Sequence, residues 1–200
     1  LFFNAEGWLN DEVAREFSET EGNAFLLGNG TNKPKGLLAY TLDMKSDAER
    51  DFGVLQTLIT GAAGEITGDN LIDLIQALKA GYRANGTWMM GNLTVAYMRK
   101  LKDKEGNYLW RPGLEAGAPS VLLGYGITEN KDMPDVAADA NAIAFGDFKR
   151  AYTVVARIGT RVLRDPYTNK PFVGFYTTKR VGGMLVDSQA VKILTLSAAA

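Results

Sequence analysis

The chain has 200 residues, of which 46% are hydrophobic and 22% charged, and its formal net charge is -1. These values are typical of a globular protein of one or two lobes, and they argue against a disordered chain or a dedicated nucleic-acid binder. The sequence contains neither Cys nor His, which excludes disulfides, thiolate nucleophiles, Cys- or His-ligated metal sites and Ser-His-Asp triads. No run approaches the ~18 apolar residues of a membrane span, so we expect no membrane partner.

Three helices are predicted in the first half of the chain. The first spans residues 5–22, where apolar residues recur at three- and four-residue steps, and the AFLLG that follows is typical of a short buried segment. The second spans 69–83 with Asp69 or Thr67 as its cap, and the third spans 93–102. TWMM, between the second and third helices, predicts a short buried strand.

The stretch GNGTNKPKG, residues 28–36, has the composition of a phosphate-binding loop. Such a loop needs Lys after its last glycine, then Ser or Thr, between a strand and a helix. Here Lys35 precedes Gly36, Lys33 stands where a G-x-G-x-x-G pattern needs its third glycine, and Pro34 favours an extended chain. We therefore predict a turn that leads into a strand at GLLAY.

The last third changes to the two-residue period of β-strands. In AYTVVARIGTRVL, residues 151–163, alternate apolar side chains face one way, which predicts a half-buried strand. A turn around Pro166 leads to FVGFYTTKR as an antiparallel partner, and MLVD and VKILTL predict two further strands. Helices early and strands late favour an α+β fold.

Charge is distributed unevenly along the chain. Residues 1–75 carry thirteen acidic and five basic side chains, whereas residues 149–180 carry eight basic ones and a single acidic one, Asp165. Regions of opposite sign suit contact between copies of one molecule, although ordinary solvated faces explain the same counts.

Candidate catalytic groups are sparse. Paired carboxylates, such as Asp132 with Asp135 or Glu12 with Glu16, suit a hydrolase that cleaves glycosides, but their spacing is equally typical of solvated loops and helices. Aromatic side chains at Tyr108, Trp110 and Tyr125 suit stacking on bases or sugars, and core or interface packing is their more ordinary use. We predict no enzyme and no cofactor.

Several segments, taken in order, resemble the major capsid proteins of tailed bacteriophages with the Hong Kong 97-type fold. Together they cover most of the chain in family order. The segments are ETEGNAFLLGNGTNKPKGLL (19–38), WMMGNLTVAYMRKLKDKEGNYLW (88–110), PSVLLGYGITENKDMP (119–134), AIAFGDFKRAYTVVARIGTRVLRDPYT (142–168) and VGFYTTKRVGGMLVDSQAVKILTL (173–196).

The resemblance implies an α+β capsid fold of two domains, each assembled from separate pieces of chain. Residues 1–64, with a spine helix, and 146–182, with long strands, would form the peripheral (P) domain. Residues 65–145, together with a final strand in 183–200, would form the axial (A) domain, a central sheet flanked by helices. The family's N-terminal arm and extended loop would precede Leu1, so we expect this chain to be the C-terminal body of such a protein.

The resemblance also implies the function of a major capsid protein. Copies of the chain would assemble as pentamers and hexamers into an icosahedral shell that encloses double-stranded DNA without sequence specificity. A scaffolding segment, a protease and a portal are further implied partners, and the protein would be a virion component assembled in the cytoplasm of a bacterial host. An encapsulin-type nanocompartment, a gene transfer agent capsid and, remotely, a carboxylate-based hydrolase remain alternatives.

For contacts between subunits, the sequence offers acidic residues of the first helix and basic residues of the following turn and the long strand. We expect the strand arginines to pair with acidic groups of a neighbouring copy rather than to bind DNA. The candidate contact residues are Glu12, Glu16, Glu19, Lys33, Lys35, Arg157, Arg161 and Arg164.

Overall fold

The structure, a computed structural model, describes residues 4–102 and 121–197. Within these ranges helices and strands are mixed, as expected for an α+β fold. Tyr108 and Trp110, for which we considered a stacking role, lie outside the described residues. None of the described helices is both long and apolar enough to cross a membrane.

The chain divides into two compact units, each made of two separate stretches. One unit comprises Leu1–Ala39 and Val154–Met184, and the other comprises Tyr40–Thr153 and Leu185–Ala200. Residues 40–64, which we expected to belong with the first helix, lie in the second unit because their main strand pairs with the C-terminal strand of the chain. The assignment of the two units as P and A domains stays a prediction.

The first unit is built on one long helix, α1 (Ala5–Leu27). Its start agrees with the sequence, and Asn4 caps it by accepting a hydrogen bond from the amide of Gly7 at 3.0 Å. Its predicted end is wrong, because AFLL forms the last turn of the helix instead of a separate segment, and Gly28 is its C-cap. Gly22 costs the helix about 1 kcal/mol relative to Ala, and burial of Leu26, about 2 kcal/mol, offsets that cost.

The chain leaves α1 through GNGTNKPKG, and the prediction of a turn there is confirmed. The amide of Gly36 donates to the carbonyl of Gly28 at 2.7 Å, and Asn32 takes the left-handed conformation with φ +56°. The strand predicted at GLLAY is wrong. Leu37–Ala39 forms a single 3₁₀ turn instead, closed by a bond from the amide of Ala39 to the carbonyl of Gly36 at 3.1 Å.

Two long strands, β7 (Tyr152–Asp165) and β8 (Gly174–Leu185), pair in a two-stranded sheet, as predicted. MLVD is not a strand of its own, because its first two residues complete β8. The expectation of half-burial is wrong for β7, whose Val154 and Val162 are 52% and 47% exposed. A two-stranded sheet leaves its faces open to solvent wherever no further layer packs against it.

The second unit contains helices and a mixed sheet. Its elements are β1 (Leu42–Asp43), β2 (Leu55–Ala63), α2 (Gly68–Ala77), α3 (Ala80–Arg83), β3 (Thr87–Met90), α4 (Asn92–Arg99), β4 (Val121–Leu122), β5 (Tyr125–Glu129), β6 (Ile143–Gly146), α5 (Phe148–Ala151) and β9 (Val191–Ser197). Seven of these strands form one sheet in the order β1-β2-β9-β6-β3-β5-β4. Strand β6 is antiparallel to both of its neighbours, whereas β1 with β2, β2 with β9, and β3 with β5 are parallel.

The second predicted helix is divided into α2 and α3. Thr67 is the cap of α2 and exchanges hydrogen bonds with Asn70 in a capping box. Leu78 ends α2 in an extended conformation, and its side chain is fully buried.

The hydrophobic core of the second unit lies between the sheet and helices α2 and α4. The strands predicted at TWMM and VKILTL are confirmed as β3 and β9. Trp88 of β3 stacks against Phe145 with ring centroids 4.4 Å apart, and its indole nitrogen donates to the carbonyl of Leu122 at 2.9 Å. The bond satisfies the polar atom of a fully buried indole and joins β3 to β4.

Candidate functional site

A basic groove of about 600 Å³ opens in the first unit between α1, the turn after it, and strands β7 and β8. Four cationic side chains line it, those of Lys33, Arg157, Lys179 and Arg180, against one acidic side chain, that of Glu21. The groove therefore has an excess of positive charge and suits an acidic ligand or surface.

An ion pair between Glu21 and Lys179 joins α1 to β8 inside this groove. The ammonium of Lys179 lies 2.6 Å and 2.8 Å from the two carboxylate oxygens of Glu21. Both side chains are largely shielded from solvent, at 26% and 19% exposure. The pair joins β8 to α1, and Lys33, Arg157 and Arg180 are the other cationic side chains that line the groove.

Among the predicted basic contact residues, the structure brings Lys33 together with Arg157 in one groove and with Lys35 in another. Lys33 and Arg157 line the basic groove, and Lys33 also lines a shallower groove of about 450 Å³ with Lys35. Arg161 and Arg164 lie farther along β7, where both are exposed. Whether these side chains contact a neighbouring copy stays a prediction.

The predicted acidic contact residues lie on α1. Glu16 and Glu19 are exposed, whereas Glu12 is partly buried and its carboxylate lies 3.5 Å from the guanidinium of Arg15. Glu21, which we did not single out, is the acidic residue of this helix that lines the groove. No sequence signal could have identified it, because its partner Lys179 is 158 positions away.

A second cluster of charges is buried in the second unit. Lys192 is fully buried and donates to the carboxylate of Asp47, which also accepts from Arg50 at 2.7 Å. The ammonium of Lys79 lies 3.8 Å from the other oxygen of Asp47. The cluster joins the loop after β1 to the central strand β9.

The surroundings of this cluster shift the pKa values of two of its members. Burial tends to raise the pKa of the Asp47 carboxyl, but hydrogen bonds and positive charge from Lys192 and Arg50 outweigh that effect, and the pKa is lowered. Burial lowers the pKa of the Lys192 ammonium, and Asp47 opposes that shift. Asp47 is therefore the anion that makes a buried ammonium tolerable.

The carboxylate pairs considered for hydrolysis lie apart from the grooves described above. Asp132 and Asp135 lie in the loop between β5 and β6, and Glu12 and Glu16 lie on the surface of α1. In the described part of the chain, no group of three or more acidic side chains is placed to hold a metal ion.

Comparisons of the sequence and of the fold with known proteins both point to capsids. The model of the phage capsid family matches residues 1–196. Two similar solved structures are the capsid of an empty GTA particle and the capsid of a native GTA particle, both computed with C5 symmetry. Each is 43% identical to this chain with a TM-score of 0.90, and each match covers 99% of this chain and 68% or 67% of the other.

No curated protein matches the chain in sequence. The family match over nearly the whole sequence agrees with the structural likeness, and together they confirm the expected capsid-type fold. The chain is a structural protein that belongs to the phage capsid family.

Proposed function

We propose that the chain is the major shell protein of a phage-like head. Copies assemble as pentamers and hexamers into an icosahedral shell, and the shell encloses double-stranded DNA that the protein contacts without reading its sequence. Support comes from the 43% identity to two capsids of GTA particles, whose structures were computed with five-fold symmetry.

The observation that carries this proposal is the apolar surface of the first unit. Among the described residues of that unit, Leu26 and Leu37 are the buried hydrophobic side chains. Far more apolar side chains remain exposed, namely Trp8, Leu27, Val154, Val155, Val162, Leu163, Tyr167, Phe172, Val173, Tyr176 and Met184. Apolar surface on this scale marks an interaction surface, and neighbouring copies in a shell would cover it.

Charged side chains orient neighbouring copies relative to each other in this association. We propose that Arg157, Arg161 and Arg164 of one copy pair with the acidic face of α1 on the next. Such pairs fix the register of two subunits more than they add affinity. The basic groove and Lys33 belong to the same contact.

Among heads of this kind, a gene transfer agent capsid is the variant that the comparisons favour, since both similar structures are capsids of GTA particles. A phage head and an encapsulin-type compartment are the other candidates. A scaffolding segment, a protease and a portal would act as partners during assembly in the bacterial cytoplasm.

Electron microscopy of particles made by the full-length protein tests the proposal. We expect closed icosahedral shells with five- and six-fold capsomers and nuclease-protected double-stranded DNA. Shells that hold protein cargo and no DNA would identify an encapsulin-type compartment instead. A protein that stays monomeric under all assembly conditions would overturn the proposal.

A further inference from the structure

The loop between β1 and β2 presents two apolar side chains to solvent at one edge of the seven-stranded sheet. Phe52 is 78% exposed and Met44 is 66% exposed. Acidic residues accompany them, because Asp51 immediately precedes Phe52 and Glu49 lies two positions earlier, both exposed. Lys45, which directly follows Met44, is exposed too and pairs with Asp43 at 3.7 Å, so the remaining exposed charge around the apolar tip is acidic.

The backbone beneath this tip is firmly held. Arg50 donates from Nε to the carbonyl of Val54 at 2.7 Å and from Nη2 to the carbonyl of Ser188 at 3.2 Å. The amide of Gly53 donates to the hydroxyl of Ser188 at 3.3 Å. Because the buried ion pairs of Asp47 add to these bonds, Phe52 is held in place before any partner arrives, which lowers the entropic cost of binding.

An apolar groove of about 370 Å³ lies toward the other edge of the same sheet, between α2, α4 and β4. Its walls are formed by Leu71, Ile72, Met98, Leu101, Leu122 and Leu123. Leu123, which directly follows the edge strand β4, is 49% exposed. The groove therefore offers an apolar, partly open site.

The charges around the groove are opposite to those around the loop. Arg99, Lys100 and Lys102 are exposed and flank the groove residues Met98 and Leu101 in sequence. On the acidic side, Asp69 lines the groove and the exposed Asp73 directly follows the groove residue Ile72, so the three cations outnumber two acidic side chains. An acidic loop with an apolar tip thus complements a mainly basic rim around an apolar groove.

We infer that Phe52 and Met44 of one copy insert into this apolar groove of the next copy. The edge strands β1 and β4 are six strand spacings apart, about 29 Å at about 4.8 Å each, so we expect the loop beside β1 to enter the groove of another copy and not its own. A contact between two different faces is head-to-tail, and repetition of such a contact closes into a ring when the rotation allows it. The inference rests on the proposed shell function and identifies the contact that joins subunits within a capsomer.

A disulfide experiment tests the contact directly. The chain contains no Cys, so a double variant with Phe52→Cys and Leu123→Cys forms disulfides through the introduced thiols alone. We expect oxidation under assembly conditions to produce covalent ladders on non-reducing gels that end at five or six subunits. The matched control pairs Phe52→Cys with Val186→Cys, an exposed apolar position that does not line the groove, and should remain uncrosslinked.

Substitutions give a second readout. Phe52→Ser should weaken capsomer formation roughly tenfold or more, the loss expected when an aromatic side chain no longer leaves water. Its circular dichroism should match that of the unsubstituted protein, because Phe52 contributes little to the core. Asp51→Lys should weaken assembly as well, and Lys100→Glu in the same chain should restore part of it.

The outcomes separate this inference from the proposed function. If the unsubstituted protein forms capsomers and the 52/123 pair links no better than the control pair, the contact is wrong and the shell function stands. If the unsubstituted protein forms no capsomers at all, both are wrong.

Discussion

A buried ammonium is costly unless an opposite charge lies beside it, and Lys192 meets that condition through Asp47. Arg50 shares the same carboxylate and also bonds the backbone of the loop that carries Phe52. A single anion therefore balances a fully buried cation and supports an exposed loop. Loss of that anion should affect the stability of the second unit more than loss of any surface charge.

Replacement of Asp47 by Asn tests this dependence. We expect Asp47→Asn to lower the free energy of unfolding by about 3 kcal/mol, because Lys192 is then buried without its anion. The double variant Asp47→Asn, Lys192→Met should recover much of the loss. Asp43→Asn is the matched control, since Asp43 pairs with Lys45 on the surface at 3.7 Å and should cost less than about 1 kcal/mol. Urea unfolding measures all three, and equal losses for Asp47→Asn and Asp43→Asn would contradict the expectation.

The same carboxylate predicts a dependence on pH. The pKa of Asp47 in the folded protein is lower than its ordinary value of 3.8. A carboxyl of this kind stabilises the fold fully above the unfolded-state pKa, and the contribution is lost as pH falls through the lower, folded-state pKa. The stability difference between the unsubstituted protein and Asp47→Asn should therefore shrink below about pH 4. Urea midpoints measured at pH 6 and pH 3 check this, and an unchanged difference would count against it.

At the scale of elements, the turn after α1 is a close backbone contact that only glycine permits. A Cβ placed on Gly36 would overlap the backbone of Leu26 in the last turn of the helix. We expect Gly36→Ala to destabilise the protein by roughly 1–3 kcal/mol, since neither backbone can move without breaking the helix end. Gly159→Ala in β7 is the control, because a Cβ there meets nothing within 4 Å. Thermal unfolding compares the two variants, and similar melting temperatures would show that the turn can accommodate a Cβ at position 36.

The periodicity of apolar residues correctly predicted strands that other parts of the same chain bury. TWMM and VKILTL both become interior strands of the sheet. VKILTL is largely buried on both faces, whereas TWMM buries Trp88 and Met90 and leaves its other two residues half-buried. The end of α1 was missed because Gly22 reads as a stop signal, while burial of Leu26 decides the outcome. The alternation in β7 predicted a half-buried strand, but Val154 and Val162 remain about half exposed among the described residues.

The pairs that organise the candidate site had no such local signal. Glu21 and Lys179 are 158 positions apart, and Asp47 and Lys192 are 145 apart. Each of these residues, read in sequence, is one charged side chain among many. Their partnership depends on the sheet order and on how the strands cross, which a single sequence does not specify. The family resemblance supplied the fold without supplying these pairs.

At the scale of the whole molecule, the chain has nearly balanced charge, with acidic residues concentrated early and basic residues late. If copies associate through these regions, salt should weaken the association, because ions screen partly exposed charges over about 8 Å at physiological ionic strength. We expect capsomer formation to decline between about 0.05 and 0.5 M NaCl, measured by light scattering. If copies associated through apolar contacts alone, capsomer formation would increase or stay constant over the same range of NaCl, which would contradict the prediction.

Charge reversal identifies which residues are responsible. The double variant Arg157→Glu, Arg161→Glu places like charges opposite the acidic face of a neighbour's α1, which should abolish capsomer formation. The circular dichroism of the monomer should stay unchanged, because both side chains are exposed on β7. Glu12→Arg with Glu16→Arg, added to the same chain, should restore assembly by exchanging the two signs. Lys149→Glu, an exposed cation of α5, is the control and should assemble normally. Normal assembly by the arginine variant would exclude β7 from the contact, and loss without rescue would mean that its partner lies elsewhere than on α1.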